Sequence, residues 1–428
     1  MEKTPILKLL LKMSLPVMCA LLIQSAYNII DSYFVSQYSS EGFAALAIIF
    51  PIQLLMTALS TGTGTGLNIL ISRMDGNKDL EHQKDVIKSG LFLGLLNYIL
   101  FVVIALSMLN YYFKISTTNT LVRTQGILYA RIIFIGSLGL FIEANCTKLL
   151  QAKGNMVMPM IAAIIGAIVN VILDPLLIFS FKLGIQGAAI ASIIGQIIAM
   201  LITLAETFKI YKHNGHIVLN HCIKIYKSGL PSIIMQSLYT LYIVGLNLIL
   251  KQFTEDAVTV LGIYYKLQTF FFIPLMGLQQ AIVPIISYNY GSKNKERIKK
   301  VFQYSLMIAL SVMLVATLIF ILFNHELVSI FSTSISILNI SRIALPVISL
   351  SFIPAGFSMI FTVYFQGIDQ GKNSLMITLL RQIFLLVPLA YLFHYLGLNY
   401  VWFTFPVTEI ISVVACFILF HRNKKMVQ

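Results

Sequence analysis

Long apolar stretches are the feature that most constrains the fold of this chain. Twelve of them follow one another, at about residues 9–35, 43–71, 86–109, 124–149, 157–180, 187–208, 229–250, 257–286, 301–323, 338–366, 374–393 and 399–420. Each reaches the roughly 20 residues that an α-helix needs to cross the hydrocarbon core of a bilayer. Of the 428 residues, 58% are hydrophobic and only 11% are charged. The sequence therefore predicts an all-α polytopic membrane protein with twelve transmembrane helices.

The distribution of Lys and Arg predicts the orientation of these helices. With the N-terminus in the cytoplasm, 22 of the 30 Lys and Arg residues fall in inner segments and 5 in outer loops, and the other three lie within spans. Cytoplasmic loops of membrane proteins carry such an excess of basic residues. Both termini are therefore predicted to be cytoplasmic. The formal net charge of +14 is interpreted as a topology signal, and no nucleic-acid partner is expected.

An internal repeat with an offset of 215 residues predicts the domain organisation. The matched pairs include Pro16 and Pro231, Gln53 and Gln268, Gly62 and Gly277, Lys78 and Lys293, and Gln151 and Gln366. We predict a six-helix lobe at 1–208, a cytoplasmic linker at 209–228 and a second six-helix lobe at 229–428. Because six is even, the lobes share one orientation and are related by a pseudo-twofold axis along the membrane normal. This symmetry is typical of secondary transporters.

A carboxylate lies inside the first apolar stretch, at Asp31. A charged side chain at the bilayer centre costs at least about 2.5 kcal/mol, and such residues commonly mark ion or substrate pathways. Gln24 and Asn28 precede Asp31 at helical spacing, so the three side chains form one polar stripe. The sequence therefore predicts a functional polar face on the first helix.

The fifth stretch carries a second carboxylate, Asp174, four residues after Asn170. Pro175 follows at once and removes the hydrogen bond to the carbonyl of Val171. Oxygen ligands of this kind suit a hard cation, and two close carboxylates can also hold a proton. The predicted site for a coupling cation or proton comprises Asp31, Asp174, Asn170, Asn28 and Ser192.

Structural pairing is the alternative interpretation of the charges inside the spans. The two aspartates would then be satisfied interior groups, with Arg131 as their counter-ion. In the second half, Arg381 and Glu409 lie at comparable depths on neighbouring spans and are interpreted as a structural ion pair. Glu143, near the cytoplasmic end of the fourth stretch, is equally compatible with helix tethering and with a proton path.

Residues 264–280 are rich in aromatic and Met side chains, which suit a pocket for varied apolar and cationic compounds. The candidates for a substrate cavity are Gln24, Gln53, Gln268, Gln279 and Met276. The GTGTG segment at 62–66 lacks the Lys of a phosphate-binding loop and lies within a span, so its glycines predict close helix packing. The histidines form no metal-binding or catalytic pattern. We therefore expect no catalytic residue, and no metal beyond a possible Na⁺.

Several segments together resemble the multidrug and toxic compound extrusion (MATE) family. They are SLP (14–16), IIDSYFV (29–35), the ALA…P segment (45–51), DGNKD (75–79), NVILDP (170–175), GIQGAAIAS (184–192), GLPS (229–232) and NYGSKNKERI (289–298). The resemblance implies a cofactor-free secondary antiporter that exports lipophilic, often cationic compounds in exchange for H⁺ or Na⁺ by alternating access of its two lobes. It also implies that Asp31 and Asp174 match the acidic positions of the family's N-terminal lobe, with Asn170 and Ser192 beside them.

The resemblance carries further expectations. The seventh and tenth stretches contain no acidic residue, so the chain is similar to the branch with its cation site in the N-terminal lobe. We expect a monomer in the plasma membrane of a bacterium, in contact with lipid and with small substrates. The alternative within transport is a flippase for lipid-linked substrates or polysaccharides, which would be favoured if Lys266 and Arg381 both faced the cavity. A membrane-embedded transferase would need a cluster of His and Asp residues, and the sequence shows none.

Overall fold

The structure, a computed structural model, describes residues 4–211 and 215–427, and the chain in these ranges is helical without a β-strand. Residues 1–3, 212–214 and 428 lie outside the described residues. The predicted linker at 209–228 is therefore described only in part, and so are the two predicted cytoplasmic termini.

The helices of the first half precede residue 211. They are α1 (Ile6–Tyr38), α2 (Ser40–Asn77), α3 (Leu80–Ser116), α4 (Thr120–Gly136), α5 (Leu138–Ala152), α6 (Val157–Pro175) and α7 (Ile185–Ile210). Those of the second half are α8 (Leu219–Leu250), α9 (Glu255–Gly291), α10 (Lys295–Leu322), α11 (Asn324–Ser329), α12 (Ile335–Ser349), α13 (Phe352–Gly367), α14 (Gly371–Leu379), α15 (Val387–His394), α16 (Leu398–Val401) and α17 (Thr404–Val427). Two π-helical segments, Leu176–Ser180 and Leu380–Leu386, interrupt the α-helical pattern.

The described residues confirm the predicted number of spans. Ten helical stretches are long and apolar enough to cross a membrane, and two bent helix pairs bring the total to twelve if each pair is one span. The pairs are α4–α5, bent by 44°, and α12–α13, bent by 43°. The sequence predicted both as continuous. At the first bend, the buried Ser137 hydroxyl donates to the Phe134 carbonyl at 2.8 Å, and such bonds compete with the helical pattern.

Contacts divide the chain into two compact units. The N-terminal unit is Pro16–Gln236, and the C-terminal unit is Ser237–Gln428 together with the residues up to Leu15. The boundaries therefore fall inside α1 and α8, rather than at the two ends of the predicted linker. The lobes at 1–208 and 229–428 stay a prediction about which segments move as bodies.

The 215-residue repeat extends to the backbone conformation of the turns. Lys78 and Lys293 each end a long helix in the left-handed region, with φ of 60° and 58°. In the next position, Asp79 and Asn294 each accept a hydrogen bond from the backbone N–H three residues further on. In the first half, His82 Nδ1 also lies 2.9 Å from Asp79 Oδ1, and this hydrogen bond lowers the pKa of the Asp79 carboxyl. The two halves thus share one turn geometry despite different residues.

Four side chains of the N-terminal unit form a network of contacts around Lys153. Lys153 forms an ion pair with Asp75, and its Nζ donates to Gln83 Oε1 at 3.2 Å. Gln83 Nε2 donates in turn to Asp75 Oδ1 at 3.0 Å. Lys153 Nζ also lies 5.2 Å from the centre of the Tyr211 ring. The network joins α2, α3 and the turn after α5 to the end of α7.

Replacing Lys153 with Met is expected to destabilise this unit. The side chains of Lys153 and Asp75 are only 24% and 13% exposed. The change leaves the Asp75 carboxylate without its counter-charge, with Gln83 Nε2 as its donor in this network, and removes the donor to Gln83 Oε1. A buried polar group that loses its partner costs about 1–3 kcal/mol. Lys209→Met is the control, because the Lys209–Glu206 pair is on the surface and such pairs contribute about 0–1 kcal/mol. Thermal unfolding of the purified proteins measures both, and equal shifts would contradict a role for the network.

Candidate functional site

Three polar side chains from α6 and α7 meet inside the N-terminal unit. Asn170 and Asp174 lie one turn apart on α6 and are 2% and 0% exposed. Asn170 Nδ2 donates to Asp174 Oδ1 at 3.4 Å and to Ser192 Oγ, on α7, at 3.3 Å. Pro175 ends α6 directly after Asp174, and the chain continues as the π-helical segment Leu176–Ser180. The local break predicted at this proline therefore lies beside the polar cluster.

Asp31 completes this cluster from α1. Its side chain is half-buried and is paired with the carboxyl group of Asp174. An ionised carboxylate offers only acceptors, so contact between two of them becomes a hydrogen bond only when one carries a proton. The structure thus brings together four of the five residues predicted for the coupling site: Asp31, Asp174, Asn170 and Ser192.

Three oxygen atoms of this cluster are buried without a donor among the described residues. They are Asp31 Oδ1, Asn170 Oδ1 and Asp174 Oδ2. Acceptors without donors, next to two carboxyl groups, favour a proton or a cation, since two adjacent buried negative charges repel each other. Only oxygen atoms provide acceptors here, and oxygen is the ligand that hard cations prefer. The described residues contain no group of three or more His, Cys, Asp or Glu side chains arranged for a metal ion.

Two tyrosines that sequence reasoning missed interact with the carboxyl pair. Tyr27 lies one turn before Asp31 on α1 and interacts electrostatically with Asp31 and Asp174. Tyr129, on α4, interacts with the same two aspartates, and its hydroxyl accepts a hydrogen bond from Gln53 Nε2 at 3.5 Å. The helical spacing could have revealed Tyr27. No local signal points to Tyr129, which is buried among apolar residues.

Other predicted residues of this unit have exposed side chains. Gln24 and Asn28 are exposed on α1, and Arg131 is exposed on α4. Arg131 forms no ion pair with a carboxylate in the described part of the chain. Among the described residues, no hydrogen bond joins Asn28 to Asp174, whose side-chain donor is Asn170.

Glu143 lies on α5 and interacts with two different residues, Thr147 and Tyr27. Its Oε1 accepts a hydrogen bond from Thr147 Oγ1, one turn along the same helix, at 2.5 Å. It also interacts electrostatically with Tyr27, which in turn interacts with the two aspartates. The first contact fits a tether within the helix and the second fits a proton path, so both predicted roles stay open.

A second polar cluster lies within the C-terminal unit. Arg381 Nε is 2.8 Å from Glu409 Oε1, and the Ser358 hydroxyl donates to Glu409 Oε2 at 3.0 Å. Arg381 Nη1 also donates to Ser358 Oγ, at 3.4 Å. The pair lines a small cavity of about 30 Å³. Its lining includes Tyr242, Tyr264, Tyr265, Gln268, Gln382 and Thr408.

Of the three substrate candidates in this unit, Gln268 lines this cavity and the other two do not. Gln279 donates to the Met359 carbonyl at 3.3 Å, and Met276 is 38% exposed. Lys266 is exposed, with its Nζ 5.7 Å from the centre of the Phe331 ring. Lys266 is thus not among the residues that line the cavity beside Arg381.

The sequence matches a known family twice. The family model MatE matches residues 16–176 and 231–392, which is just over three quarters of the chain. The two matches begin at Pro16 and Pro231, which differ by the repeat offset of 215 residues.

Individual relatives span almost the whole chain. The multidrug export protein MepA of Staphylococcus aureus (strain MRSA252) is 26% identical over 434 residues, which cover 98% of this chain and 94% of MepA. The FAD transporter of Shewanella oneidensis is 27% identical over 443 residues, which cover 98% of this chain and 95% of that transporter. A MOP superfamily transporter from Pyrococcus furiosus has a similar structure, with a TM-score of 0.92, 24% identity and coverage of 99% and 97%. A mutant of the Vibrio cholerae MATE transporter VcmN also has a similar structure, with a TM-score of 0.93 and 20% identity. The match covers 98% of this chain and 97% of the VcmN chain. At these identities the solved structures establish the fold.

Proposed function

Since the chain belongs to the MatE family, we propose that it is a multidrug exporter of a bacterial membrane that works by antiport with H⁺ or Na⁺. The observation that carries the coupling mechanism is the carboxyl pair of the half-buried Asp31 and the buried Asp174, with Asn170 and Ser192 beside it. A site of this kind changes its charge whenever it takes up or releases a cation.

The coupling depends on the cost of an unneutralised pair. When both carboxyl groups are ionised, their repulsion in a poorly solvated site is unfavourable, and binding of a proton or Na⁺ relieves it. Asp31 reaches the site from α1, so its attraction to Asp174 through a shared cation, or its repulsion when the cation leaves, biases the position of α1. A conformational change follows only from such a difference in interaction energy between two states.

The same charges favour lipophilic cations as substrates. One relative is a multidrug export protein and another a FAD transporter, so the matching proteins do not share one substrate class. A cationic compound is attracted by the carboxyl pair and competes with the coupling cation, whereas an anion such as FAD is repelled. The flippase alternative is not favoured, because Arg381 is neutralised by Glu409 and Lys266 is not among the residues that line the cavity of Arg381.

The remaining parts of the proposal concern the whole molecule. Two lobes, 1–208 and 229–428, alternate access to the two sides of the membrane around the linker at 209–228. Both termini lie in the cytoplasm, as the Lys and Arg distribution favours. The protein acts as a monomer in contact with lipid.

Transport under imposed gradients tests this proposal and identifies the ion. Everted bacterial membrane vesicles containing the protein are given ethidium, a lipophilic cation, outside. One set has an acidic lumen with equal Na⁺ on both sides, and the other has a Na⁺-rich lumen with equal pH. We expect the lumen to accumulate ethidium in one of the two sets only, and that set names the coupling ion. Accumulation equal to that of vesicles without the protein under both gradients would contradict the proposal.

A further inference from the structure

The polar cluster of the C-terminal unit has no part in the transport chemistry proposed above, yet it has the composition of a cation site. We propose that the guanidinium of Arg381 is the resident cation of a site formed by Glu409, Ser358, Gln382 and Thr408. In this half a side chain of the protein takes the place that a soluble monovalent cation would otherwise fill. The inference does not depend on the proposed transport function.

The contacts of the guanidinium are those of a bound cation. Arg381 Nε is 2.8 Å from Glu409 Oε1, and Arg381 Nη1 is 3.4 Å from Ser358 Oγ. The second carboxylate oxygen, Glu409 Oε2, accepts from the Ser358 hydroxyl at 3.0 Å. The side chains of Arg381 and Glu409 are only 23% and 10% exposed. Without the guanidinium, the carboxylate would be a buried charge whose one contact in this set is a neutral hydroxyl, and such a charge is strongly disfavoured.

Two further oxygens point to a site larger than one ion pair. Gln382 Oε1 and Thr408 Oγ1 are buried and have no hydrogen-bond partner among the described residues. Thr408 is 1% exposed, and both residues line the cavity that also contains Arg381 and Glu409. A cavity of about 30 Å³ is large enough for a water molecule or a small ion. A carboxylate, two hydroxyls and an amide oxygen form an oxygen set of the type that hard cations prefer.

The backbone at this place is also unusual. Arg381 and Gln382 lie in the π-helical segment Leu380–Leu386, and π-helical turns occur frequently at functional sites. The segment Leu176–Ser180 has the same conformation and directly follows the helix that ends with Asp174 and Pro175. Each unit therefore has a polar cluster beside a π-helical segment. One contains two carboxyl groups and the other an acid–base pair.

Removal of the guanidinium tests whether it stands in for a cation. In Arg381→Met, the Glu409 carboxylate loses its partner, so the variant should bind Na⁺ or a proton instead. Trp402 is the only tryptophan of the chain, is fully buried and precedes the helix that carries Thr408 and Glu409, so its emission reports on this region. We expect both Trp402 emission and Tm of Arg381→Met to shift on titration with NaCl at pH 8, or on acidification in Na⁺-free buffer, at constant ionic strength with choline chloride.

Three controls isolate the charge. The wild type and Arg381→Lys keep a positive charge and should not respond to Na⁺ or to pH in this way. The double variant Arg381→Met with Glu409→Gln has no charge to balance and should also be indifferent. The titratable and charged groups that interact with Glu409 from other positions are Tyr242, Tyr264 and Cys416, besides Arg381, and they are the same in the single and double variants.

The outcomes separate cleanly. A response of Arg381→Met to Na⁺ or to acid that is lost in the double variant supports the proposal. A folded Arg381→Met that responds to neither cation would overturn it, and so would a double variant that responds as strongly as the single one. If Arg381→Met is folded only in NaCl or at low pH, that requirement is itself the expected dependence. Failure to fold under every condition, while the double variant folds, would also overturn the proposal.

Discussion

Replacement of Asp31 by asparagine is expected to abolish gradient-driven accumulation of ethidium in everted vesicles, down to the level of vesicles without the protein. The amide keeps the size and shape of the side chain but cannot take up or release a proton, and it is a poor ligand for Na⁺ beside a single remaining carboxylate. Asp31 and Asp174 form one pair, so Asp174→Asn should have the same effect. Accumulation is measured by ethidium fluorescence after the gradient is imposed.

Folding and insertion must be measured beside transport. The amount of each variant in the membrane and its gel-filtration profile in detergent should equal those of the wild type. Glu255→Gln is the matched control, since its side chain is 76% exposed at the start of α9 and the change is also from acid to amide. It should transport normally. Undiminished transport by Asp31→Asn would show that the carboxyl pair is structural, which is the alternative interpretation of these residues.

Replacement of Gly66 by valine is expected to prevent folding of the N-terminal unit. A Cβ at this position would lie 2.2 Å from the carbonyl oxygen of Ile225 and 2.7 Å from the backbone nitrogen of Gly229. Both atoms belong to the backbone of α8, which cannot rotate away as a side chain can. Overpacking commonly costs about 1–3 kcal/mol, and we expect a larger effect here because α2 and α8 would have to separate. The yield of monodisperse protein in detergent measures it.

Gly262→Val is the control for this change. Gly262 also lies within a long helix, α9, but a Cβ there would meet no atom within 4 Å. Both substitutions bring the same change in helix propensity, so a difference between them reports packing alone. Normal yields of both variants would mean that α2 and α8 can move apart, and would refute close packing as the role of the GTGTG segment.

Much of the fold could be predicted because it follows from apolar length and from charge placement. The twelve spans depend on the solubility of whole segments in the bilayer, and small errors at their ends do not change the count. The bends of α4–α5 and α12–α13 could not be predicted in the same way. At Ser137 the bend depends on one hydroxyl that bonds to the Phe134 carbonyl, and serines are common in membrane helices without bends.

The candidate site could be predicted in its charged part. Asp31 and Asp174 are detectable because carboxylates are rare in spans. Asn170 is detectable because it lies four residues before Asp174 in the sequence. Ser192 is detectable because the resemblance to the family places it beside the two aspartates. Tyr129 could not be found, since a tyrosine in an apolar helix carries no signal of its partner across the bundle. Asn28 was predicted for the site, but its side chain is exposed. Helical spacing places it on the same stripe as Asp31, but which part of a stripe faces the interior is decided by the neighbouring helices.

The repeated turn geometry of the two halves has a consequence for the origin of the carboxyl pair. A duplicated ancestral sequence explains the common offset of 215, and the second copy then shows which substitutions the shared scaffold has already tolerated. Leucine stands at position 246, where the offset places the counterpart of Asp31, and Leu246 is buried in an intact helix. The scaffold thus needs no acid at this place in order to fold. Asp31 in the first half is therefore best explained by function and not by folding. The second half, with Leu246 at the matching position, shows the same scaffold without the carboxylate.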